Sequence, residues 1–213
     1  MRPSLEIEKS LWRGGFARIA GLDEAGRGAL AGPVAVGVVI LPPNTAHLAA
    51  TLSGVRDSKQ LTPRQREHWA KHIRQVALDW SVGFASAGEI DRWGIVAAVR
   101  MAALRALSAL NFAPDYLVTD FQLHLPTTDL PQTSLVEGDV SSLTIAAASI
   151  LAKTVRDAYM REMDRLYPAY GFAQHKGYAT LQHRHALRSL GFSPLHRRTF
   201  LGGLSLDTSQ KSG

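Results

Sequence analysis

Residues 19–34 read Ile-Ala-Gly-Leu-Asp-Glu-Ala-Gly-Arg-Gly-Ala-Leu-Ala-Gly-Pro-Val, and this stretch decides the fold class. The apolar run over residues 18–22 predicts a short strand that ends in Asp23. Residues 24–28 predict a turn that contains two glycines. The β-branched run over residues 34–41 predicts a second strand, which forms a hairpin with the first.

Strands and helices alternate along the remainder of the chain without a Gly-x-Gly-x-x-Gly dinucleotide signature, which predicts an α/β fold. Further short strands are predicted over residues 82–87, 116–119 and 134–136. Helices are predicted after the capping box at residues 62–65 and over residues 89–110, 141–166 and 180–190. The predicted apolar stripe of the helix over residues 89–110 consists of Ile90, Trp93, Ala97 and Leu104.

The composition is typical of a basic, single-domain protein. The chain has 213 residues, no cysteine, a formal net charge of +6 and a pI of about 9.9, which favours a nucleic-acid partner. Without cysteine, a metal ion has to be held by oxygen or imidazole ligands. The N-terminus lacks a signal-peptide pattern, and the longest apolar stretch, residues 29–41, is too short to span a bilayer. We therefore expect a cytoplasmic protein with no membrane partner, and a monomer.

The domain organisation is predicted to be simple. We expect a loosely attached leader over residues 1–16 and one catalytic domain over residues 17–201. The part of this domain from about residue 160 is predicted to be helical, and residues 202–213 are predicted to form a flexible tail.

Acidic residues end or follow three of the predicted strands. They are Asp23, Asp120 and Asp139. Carboxylates in such positions can converge at one edge of a sheet, where their oxygens would hold Mg²⁺. Two such ions can activate water and stabilise the leaving oxygen of a phosphodiester. Taken singly, each acid is more simply explained as a turn former or a helix cap. Glu24 can join Asp23 only if the chain turns there, because neighbouring strand side chains point to opposite faces.

The stretch at residues 19–34 closely resembles the opening motif of the ribonuclease HII family. Other segments resemble the same family in the same order, so the resemblance covers roughly residues 17–200. These segments are Asp57-Ser58-Lys59-Gln60-Leu61, Leu117-Val118-Thr119-Asp120, Glu137-Gly138-Asp139, Ala147-Ala148-Ser149-Ile150-Leu151-Ala152-Lys153 with Arg156-Asp157, Tyr170-Gly171-Phe172, His175-Lys176-Gly177-Tyr178, and His196-Arg197-Arg198 with Phe200.

The resemblance implies an RNase H-like fold, in which helices flank a mixed central sheet and the C-terminal part is helical. It implies an endoribonuclease that cuts the RNA strand of RNA–DNA hybrids and incises DNA 5′ of embedded ribonucleotides, leaving 3′-hydroxyl and 5′-phosphate ends. Two Mg²⁺ or Mn²⁺ ions would be bound in the active complex. By motif, the catalytic, metal-binding carboxylates would be Asp23, Glu24, Asp120 and Asp139. Asp157 is a rival for the fourth position, but an ion pair with Lys153, four residues earlier on a helix, explains it more simply.

The resemblance also implies substrate contacts. The family's glycine–arginine–glycine motif corresponds to Gly26, Arg27 and Gly28, where the backbone can approach the substrate and hydrogen-bond a 2′-hydroxyl. Tyr178 corresponds to the family's tyrosine at the RNA–DNA junction. Phosphate contacts are expected from Lys59, Ser149, Lys153 and Arg156. The last three share one predicted helix face, for which a solvated surface is the alternative.

Two other function classes are weighed against this interpretation. One is an RNase H-like nuclease or transferase that acts on DNA alone, and the other is a non-catalytic nucleic-acid-binding module with structural acids.

His68 and His72 have the spacing of a zinc pair, but Trp69 stands where the H-E-x-x-H signature needs glutamate, so an exposed helix face is expected. The chain departs from the family pattern at residues 121–122, where many members have glycine, and at Glu137, where a basic residue is frequent.

Overall fold

Five strands form one mixed β-sheet in the computed structural model, which describes residues 3–43, 47–120 and 123–202. The strands are β1 (Ile19–Ala25), β2 (Val34–Ile40), β3 (Asp79–Ala85), β4 (Tyr116–Asp120) and β5 (Gln132–Leu135). Their order across the sheet is β3-β2-β1-β4-β5. β1, β2 and β3 pair antiparallel, and β4 pairs parallel with both β1 and β5. The predicted hairpin and α/β class are confirmed.

Helices cover both faces of this sheet. They are α1 (Glu6–Arg13), α2 (Leu48–Thr51), α3 (Pro63–Val76), α4 (Ala87–Ser108), α5 (Gly138–Ser141), α6 (Leu143–Leu166), α7 (Phe172–His175) and α8 (Leu181–Leu190). The predicted capping box at the start of α3 has both of its hydrogen bonds. In the ranges that the structure covers, no helix combines the length and apolar character needed to cross a bilayer.

Helix α6 lies directly on one face of the sheet, over β1 and β2. A Cβ atom at Gly37 would overlap the carbonyl group of Ala148, and one at Gly21 would overlap Thr144. These two strand positions therefore need glycine, because any side chain would push the helix away. The close approach places Ser149 on α6 and Asp23 on β1 in the lining of the same cleft.

Helix α4 covers the opposite face, and its buried side differs from the predicted stripe. Ile90 is buried, but Trp93, Ala97 and Leu104 are exposed. For Ala97 and Leu104 the prediction is wrong because Gly94, with φ 78° and ψ 161°, interrupts the helix and changes the phase of the residues that follow; Trp93 precedes this kink. Beyond this kink the buried face is formed by Ala98, Val99, Ala102, Ala103 and Ala106.

The N-terminal segment is not the loosely attached leader that the sequence predicts. Helix α1 places the side chain of Glu8 in the interior, where it is fully buried. Its Oε1 accepts hydrogen bonds from the Ser142 hydroxyl at 2.6 Å and the Thr144 N–H at 3.0 Å. A carboxylate satisfies and stabilises the free N–H groups at a helix start, so α1 helps to hold the beginning of α6. The predicted tail beyond Gly202 lies outside the described residues.

Three buried histidines hold the C-terminal part together. His183 Nε2 lies 3.0 Å from His196 Nε2, and His183 Nδ1 lies 2.9 Å from the carbonyl oxygen of Tyr178. The ring of His175 stacks on that of His183 with centroids 4.2 Å apart. Because a carbonyl oxygen only accepts, Nδ1 of His183 carries the proton, and Nε2 of His183 is an acceptor. The N–H of Ser193 donates to Nδ1 of His196, so the proton of the His196 ring is on Nε2 and is donated to Nε2 of His183. Both bonds are therefore complete when the imidazoles are neutral.

Candidate active site

A cleft of about 540 Å³ crosses the end of the sheet where β1 and β4 finish. Its wall contains every site residue predicted from the sequence except Arg156. The predicted carboxylates, the glycine–arginine–glycine turn, the phosphate-binding candidates other than Arg156, and Tyr178 therefore face one common space.

The parallel pairing of β1 with β4 brings the first two carboxylates together. The register places Leu22 opposite Thr119, so the residues that follow, Asp23 and Asp120, lie side by side at the same end of the sheet. This is the convergence that the sequence predicts for acids at strand ends.

Glu24 reaches the cleft in a different way from the one predicted. The chain does not turn at Glu24, because β1 continues through Ala25 and Glu24 pairs with Val36 of β2. Asp23 and Glu24 consequently point to opposite faces of the strand, Asp23 towards Ser149 and Glu24 towards Arg27. Both line the cleft because it lies across the end of the sheet.

Asp139 is supplied by a short helix rather than directly by a strand. The chain leaves β5, passes through Glu137 in the left-handed region at φ 52°, and enters α5, whose first turn contains Asp139. The N–H of Gly138 donates to Oδ1 of Asp120 at 3.2 Å, which fixes the start of α5 beside β4. The predicted helix over residues 141–166 is thus preceded by a separate turn of helix.

The carboxyl groups of Asp23, Glu24 and Asp139 are harder to ionise than free ones. Burial, reinforced by neighbouring Glu24, raises the pKa of Asp23 well above its ordinary value. Burial also raises the pKa of Glu24, and burial together with Asp57 raises that of Asp139. Partial burial alone would lower the pKa of Lys59, but the nearby acids, Asp57 first, raise it. The cleft therefore gathers these acids around one space, together with the ammonium groups of Lys59 and Lys153.

The donor set fits a divalent cation. Oε2 of Glu24 is buried and has no hydrogen-bond partner among the described residues, so one carboxylate oxygen is left available for a ligand. The cleft lining contains the four predicted carboxylates, a fifth acid at Glu137 and no sulfur, and such oxygen donors are those that Mg²⁺ and Mn²⁺ prefer. Within the ranges that the structure covers, no three acidic or histidine side chains are already drawn together tightly enough to hold an ion. The fit rests on the donor chemistry and the unsatisfied oxygen.

The structure distinguishes Asp157 from the cleft carboxylates. Asp157 accepts a hydrogen bond from Lys153 Nζ at 2.7 Å, and its second oxygen lies 3.5 Å from Arg66 Nη2. It does not line the cleft. The ion pair expected from the spacing on α6 is present, and the side chain of Lys153 still borders the cleft.

The glycine–arginine–glycine segment forms a tight turn after β1. Gly26 has φ +86°, and its carbonyl oxygen accepts from the N–H of Ala29 at 3.3 Å. A Cβ atom at Gly26 would overlap the Arg156 guanidinium, whereas one at Gly28 would meet nothing within 4 Å. Gly26 is therefore required by the protein's own packing, and Gly28 leaves the surface of the cleft open.

Tyr178 also lines the cleft, and cationic side chains flank its ring. Lys153 Nζ lies 5.1 Å, and the Arg156 guanidinium 5.3 Å, from the ring centroid, within the range of cation–π attraction. The carbonyl oxygen of the preceding Gly177 accepts from the N–H of Leu30 at 2.8 Å, so the loop of Tyr178 is joined directly to the one that follows β1.

Arg156 does not contact the cleft as predicted. It is fully buried, and its guanidinium donates to the carbonyl oxygens of Pro33, Ala31 and Lys176 at 2.8–3.1 Å. Only this part of the face assigned to solvent or phosphate lies inside the protein, because Ser149 and Lys153 border the cleft.

Ser58 is a cleft residue that sequence reasoning did not select. It is buried on a 3₁₀ turn, and its hydroxyl bonds that of Ser149 at 3.0 Å. Ser58 immediately precedes Lys59 in a motif segment, and that position was the available signal.

Comparisons with known proteins agree with this geometry. The sequence profile of the family described as ribonuclease HII matches residues 20–202. The chain belongs to the ribonuclease HII family. A ribonuclease HII from one strain of Thermus thermophilus is 53% identical over 194 residues, which is 91% of each chain.

Solved structures share the fold. The structure of the PCNA:RNase HII complex from Archaeoglobus fulgidus matches with a TM-score of 0.72 and 26% identity, covering 91% of this chain and 98% of the other. Bst-RNase HIII in complex with Mn²⁺ matches at 20% identity with a TM-score of 0.64, covering 86% of this chain and 64% of the other, a likeness of fold alone.

Family membership makes this chain a hydrolytic nuclease with ribonuclease H activity on RNA–DNA hybrids that depends on a divalent metal. The RNase H-like fold expected from the sequence is confirmed by the same comparisons.

Proposed function

We propose that this enzyme also incises duplex DNA 5′ of an embedded ribonucleotide, leaving 3′-hydroxyl and 5′-phosphate ends. The observation that carries the proposal is the presence, in one cleft, of the four predicted carboxylates and the turn at residues 26–28. The carboxylates suit hydrolysis of a phosphodiester, and the exposed backbone of the turn suits recognition of a 2′-hydroxyl. Because the 2′-hydroxyl separates RNA from DNA, a single ribonucleotide is sufficient to define the cut.

The metal-binding residues in this proposal are Asp23, Glu24, Asp120 and Asp139, and the cofactor is a pair of Mg²⁺ or Mn²⁺ ions. When bound, such a pair supplies an activated water and charge stabilisation for the leaving oxygen. The raised pKa of Asp23 and of Glu24, caused first by burial, supports this role, because a cation relieves the burial of negative charge. The unpartnered oxygen of Glu24 supports it independently.

The remaining cleft residues bind and orient the substrate. Lys59 and Lys153 present ammonium groups for phosphate contacts, and Ser149, whose hydroxyl bonds that of Ser58, faces the same space. The Tyr178 ring packs on a sugar at the junction, and its hydroxyl makes a polar contact there. A net charge of +6 favours association with the polyanion as a whole.

We further propose that residues 17–201 form the catalytic domain, and that the enzyme acts as a monomer in the cytoplasm. The absence of cysteine and the basic composition support an intracellular nucleic-acid substrate.

An end-labelled DNA duplex that carries one ribonucleotide tests the proposal. With Mg²⁺ or Mn²⁺, we expect one nick on the 5′ side of the ribonucleotide. The nick should disappear with EDTA, with an all-DNA duplex of the same sequence, and with Asp120→Asn. Asp129→Asn, a change at an exposed acid outside the cleft, is the matched control and should nick normally.

Each failure has a separate meaning. Equal cutting of the all-DNA duplex would refute the recognition of the 2′-hydroxyl, although the nuclease activity itself would stand. Cutting that survives EDTA would refute the metal site. Binding without cutting in Mg²⁺ and in Mn²⁺ would indicate a non-catalytic binding module.

A further inference from the structure

Two buried arginines lie behind the turn at residues 26–28. Arg156 and Arg197 are both fully buried. Arg197 donates to the carbonyl oxygens of Gly26 at 2.7 Å, Arg27 at 2.8 Å and Gly32 at 3.0 Å. Arg156 donates to the carbonyl oxygens further along the same loop, at positions 31 and 33. Together the two guanidinium groups hold most of the carbonyls of one short loop.

This arrangement is unusual for a buried charge. Neither arginine forms a salt bridge with a carboxylate in the part of the chain that the structure describes. Burial, with Arg156 close by, lowers the pKa of Arg197 to about 9. A buried cation without a carboxylate is unfavourable for stability, and such groups concentrate at functional sites. The arrangement therefore calls for a functional explanation.

The direction of the carbonyls determines the direction of the N–H groups. In a trans peptide the C=O of one residue and the N–H of the next point in opposite directions. Because Arg197 draws the carbonyls of Gly26 and Arg27 inwards, the N–H groups of Arg27 and Gly28 point outwards, and both residues line the cleft. Neither N–H has an acceptor among the described residues.

We propose that Arg197 is a positioning residue for ribonucleotide recognition: by holding the carbonyls of Gly26 and Arg27, it aims the N–H groups of Arg27 and Gly28 at the 2′-oxygen of the substrate. The inference rests on the proposed function. Arg197 does not touch the substrate and acts only through the backbone. Its own segment is anchored by Asp91, which accepts from the N–H of Arg198 at 2.9 Å and of Thr199 at 3.0 Å.

Arg197→Lys tests this role, with Arg198→Lys as the matched control at the neighbouring, exposed position. Lysine keeps the charge but lacks the planar fork that bonds several carbonyls at once. The readouts are the single-turnover nicking rate on the one-ribonucleotide duplex, the Kd for the all-DNA duplex, and the cooperativity of thermal unfolding. We expect the nicking rate of Arg197→Lys to fall about 10- to 100-fold, since small misplacements have effects of this size. The Kd for all-DNA should change less than about 2-fold, because phosphate contacts dominate it.

Asp91→Ala provides a second variant in case Arg197→Lys does not fold. It loosens the segment after Arg197 without altering the buried pair, and a smaller loss of rate, with unchanged all-DNA binding, is expected. Arg198→Lys should match the wild type in every readout.

The outcomes separate this inference from the proposed function. If the wild type does not nick the duplex, the proposed function fails and the inference falls with it. If the wild type nicks but Arg197→Lys and Asp91→Ala nick equally well, only the inference is overturned. It is also overturned if the loss of rate follows the folded fraction and all-DNA binding in parallel, because Arg197 would then be merely structural.

Discussion

Gly26 lies directly against the guanidinium group of Arg156, with no room for a methyl group between them. Gly26, which begins the turn after β1, is thus packed against helix α6, and the same helix carries Ser149 and Lys153. Gly28, two residues later, has open space where its side chain would be.

Alanine substitutions at these two glycines should both reduce activity, but only the one at Gly26 should reduce stability. Gly26→Ala adds a Cβ at φ +86° and against Arg156, so we expect a loss of about 2–4 kcal/mol of stability and of activity with it. Gly28→Ala should retain the wild-type stability within about 0.5 kcal/mol but nick at least about 10-fold more slowly, because the methyl group projects into the cleft. Urea denaturation and single-turnover nicking measure both. Equal behaviour of the two variants would contradict this account.

The buried Glu8 is expected to stabilise the fold from outside the catalytic cleft. Glu8→Ala leaves the Ser142 hydroxyl and the Thr144 N–H without their acceptor, so a loss of about 2–4 kcal/mol is expected. Glu6→Ala is the control, because Glu6 is exposed and pairs only with Lys9, an interaction worth at most about 1 kcal/mol. The two free energies of unfolding, compared at neutral pH, check the prediction; similar values would show that α1 is a detachable leader after all.

The buried histidines should make the fold sensitive to acid. Burial lowers the pKa of His183 and of His196 to about 4, so between about pH 6.5 and 4 the unfolded chain binds protons that the folded chain does not. Stability should therefore be complete above about pH 6.5 and fall as the pH decreases, by about 1.4 kcal/mol per pH unit for each histidine. Urea denaturation at several pH values measures this slope.

His183→Gln tests whether these histidines cause the slope, with exposed His185→Gln on the same helix as control. The first variant should be less stable at neutral pH but show a shallower decline on acidification. The second should follow the wild type throughout. Parallel curves for all three proteins would rule out His183 as a source of the acid sensitivity.

Asp23→Asn is expected to lose activity and to gain stability. The raised pKa of Asp23, caused first by burial, means that ionisation is less favourable in the folded chain than in the unfolded chain. This unfavourable term is absent at low pH, grows as the pH rises from the ordinary pKa of an aspartate towards the raised pKa of the folded chain, and is constant above it. Without divalent cations at about pH 8, Asp23→Asn should unfold at a higher urea concentration than the wild type, and the difference should shrink on acidification.

Divalent cations should make the wild type more stable than Asp23→Asn. Mg²⁺ or Mn²⁺ at about a hundred times its dissociation constant should stabilise the wild type by about 2.7 kcal/mol and leave Asp23→Asn almost unchanged. Asp129→Asn, a change at an exposed acid, should respond as the wild type does. Cation stabilisation that persists in Asp23→Asn would remove Asp23 from the metal-binding set.

The sequence predicted the parts of the site that depend on local pattern. Asp23 and Asp120 follow apolar strands, and parallel pairing was enough to bring them together. The ion pair of Asp157 followed from its spacing to Lys153 on one helix. Tyr178 was accessible only through the family resemblance, because nothing local distinguishes it from another loop aromatic.

Features that depend on tertiary packing were not predicted. Arg156 was assigned to an exposed face because helical spacing does not reveal that the loop at residues 31–33 and Lys176 cover its side chain. The stripe on α4 was wrong because one glycine, Gly94, leaves the helical conformation. The attachment of α1 depends on Glu8, a glutamate on a short polar helix, which single-sequence reasoning assigns to solvent.

The contact between Arg197 and Gly26 joins residues 171 positions apart in the chain. A polypeptide leaves the ribosome from its N-terminus, so the strand with Asp23 and Glu24 emerges long before the arginine that completes the neighbouring turn. An incomplete translation product that stops before residue 197 would contain all four carboxylates but not the residue that orders the ribose-reading backbone. Selectivity for a ribonucleotide would thus be acquired only at the end of synthesis, when the last part of the domain joins the first.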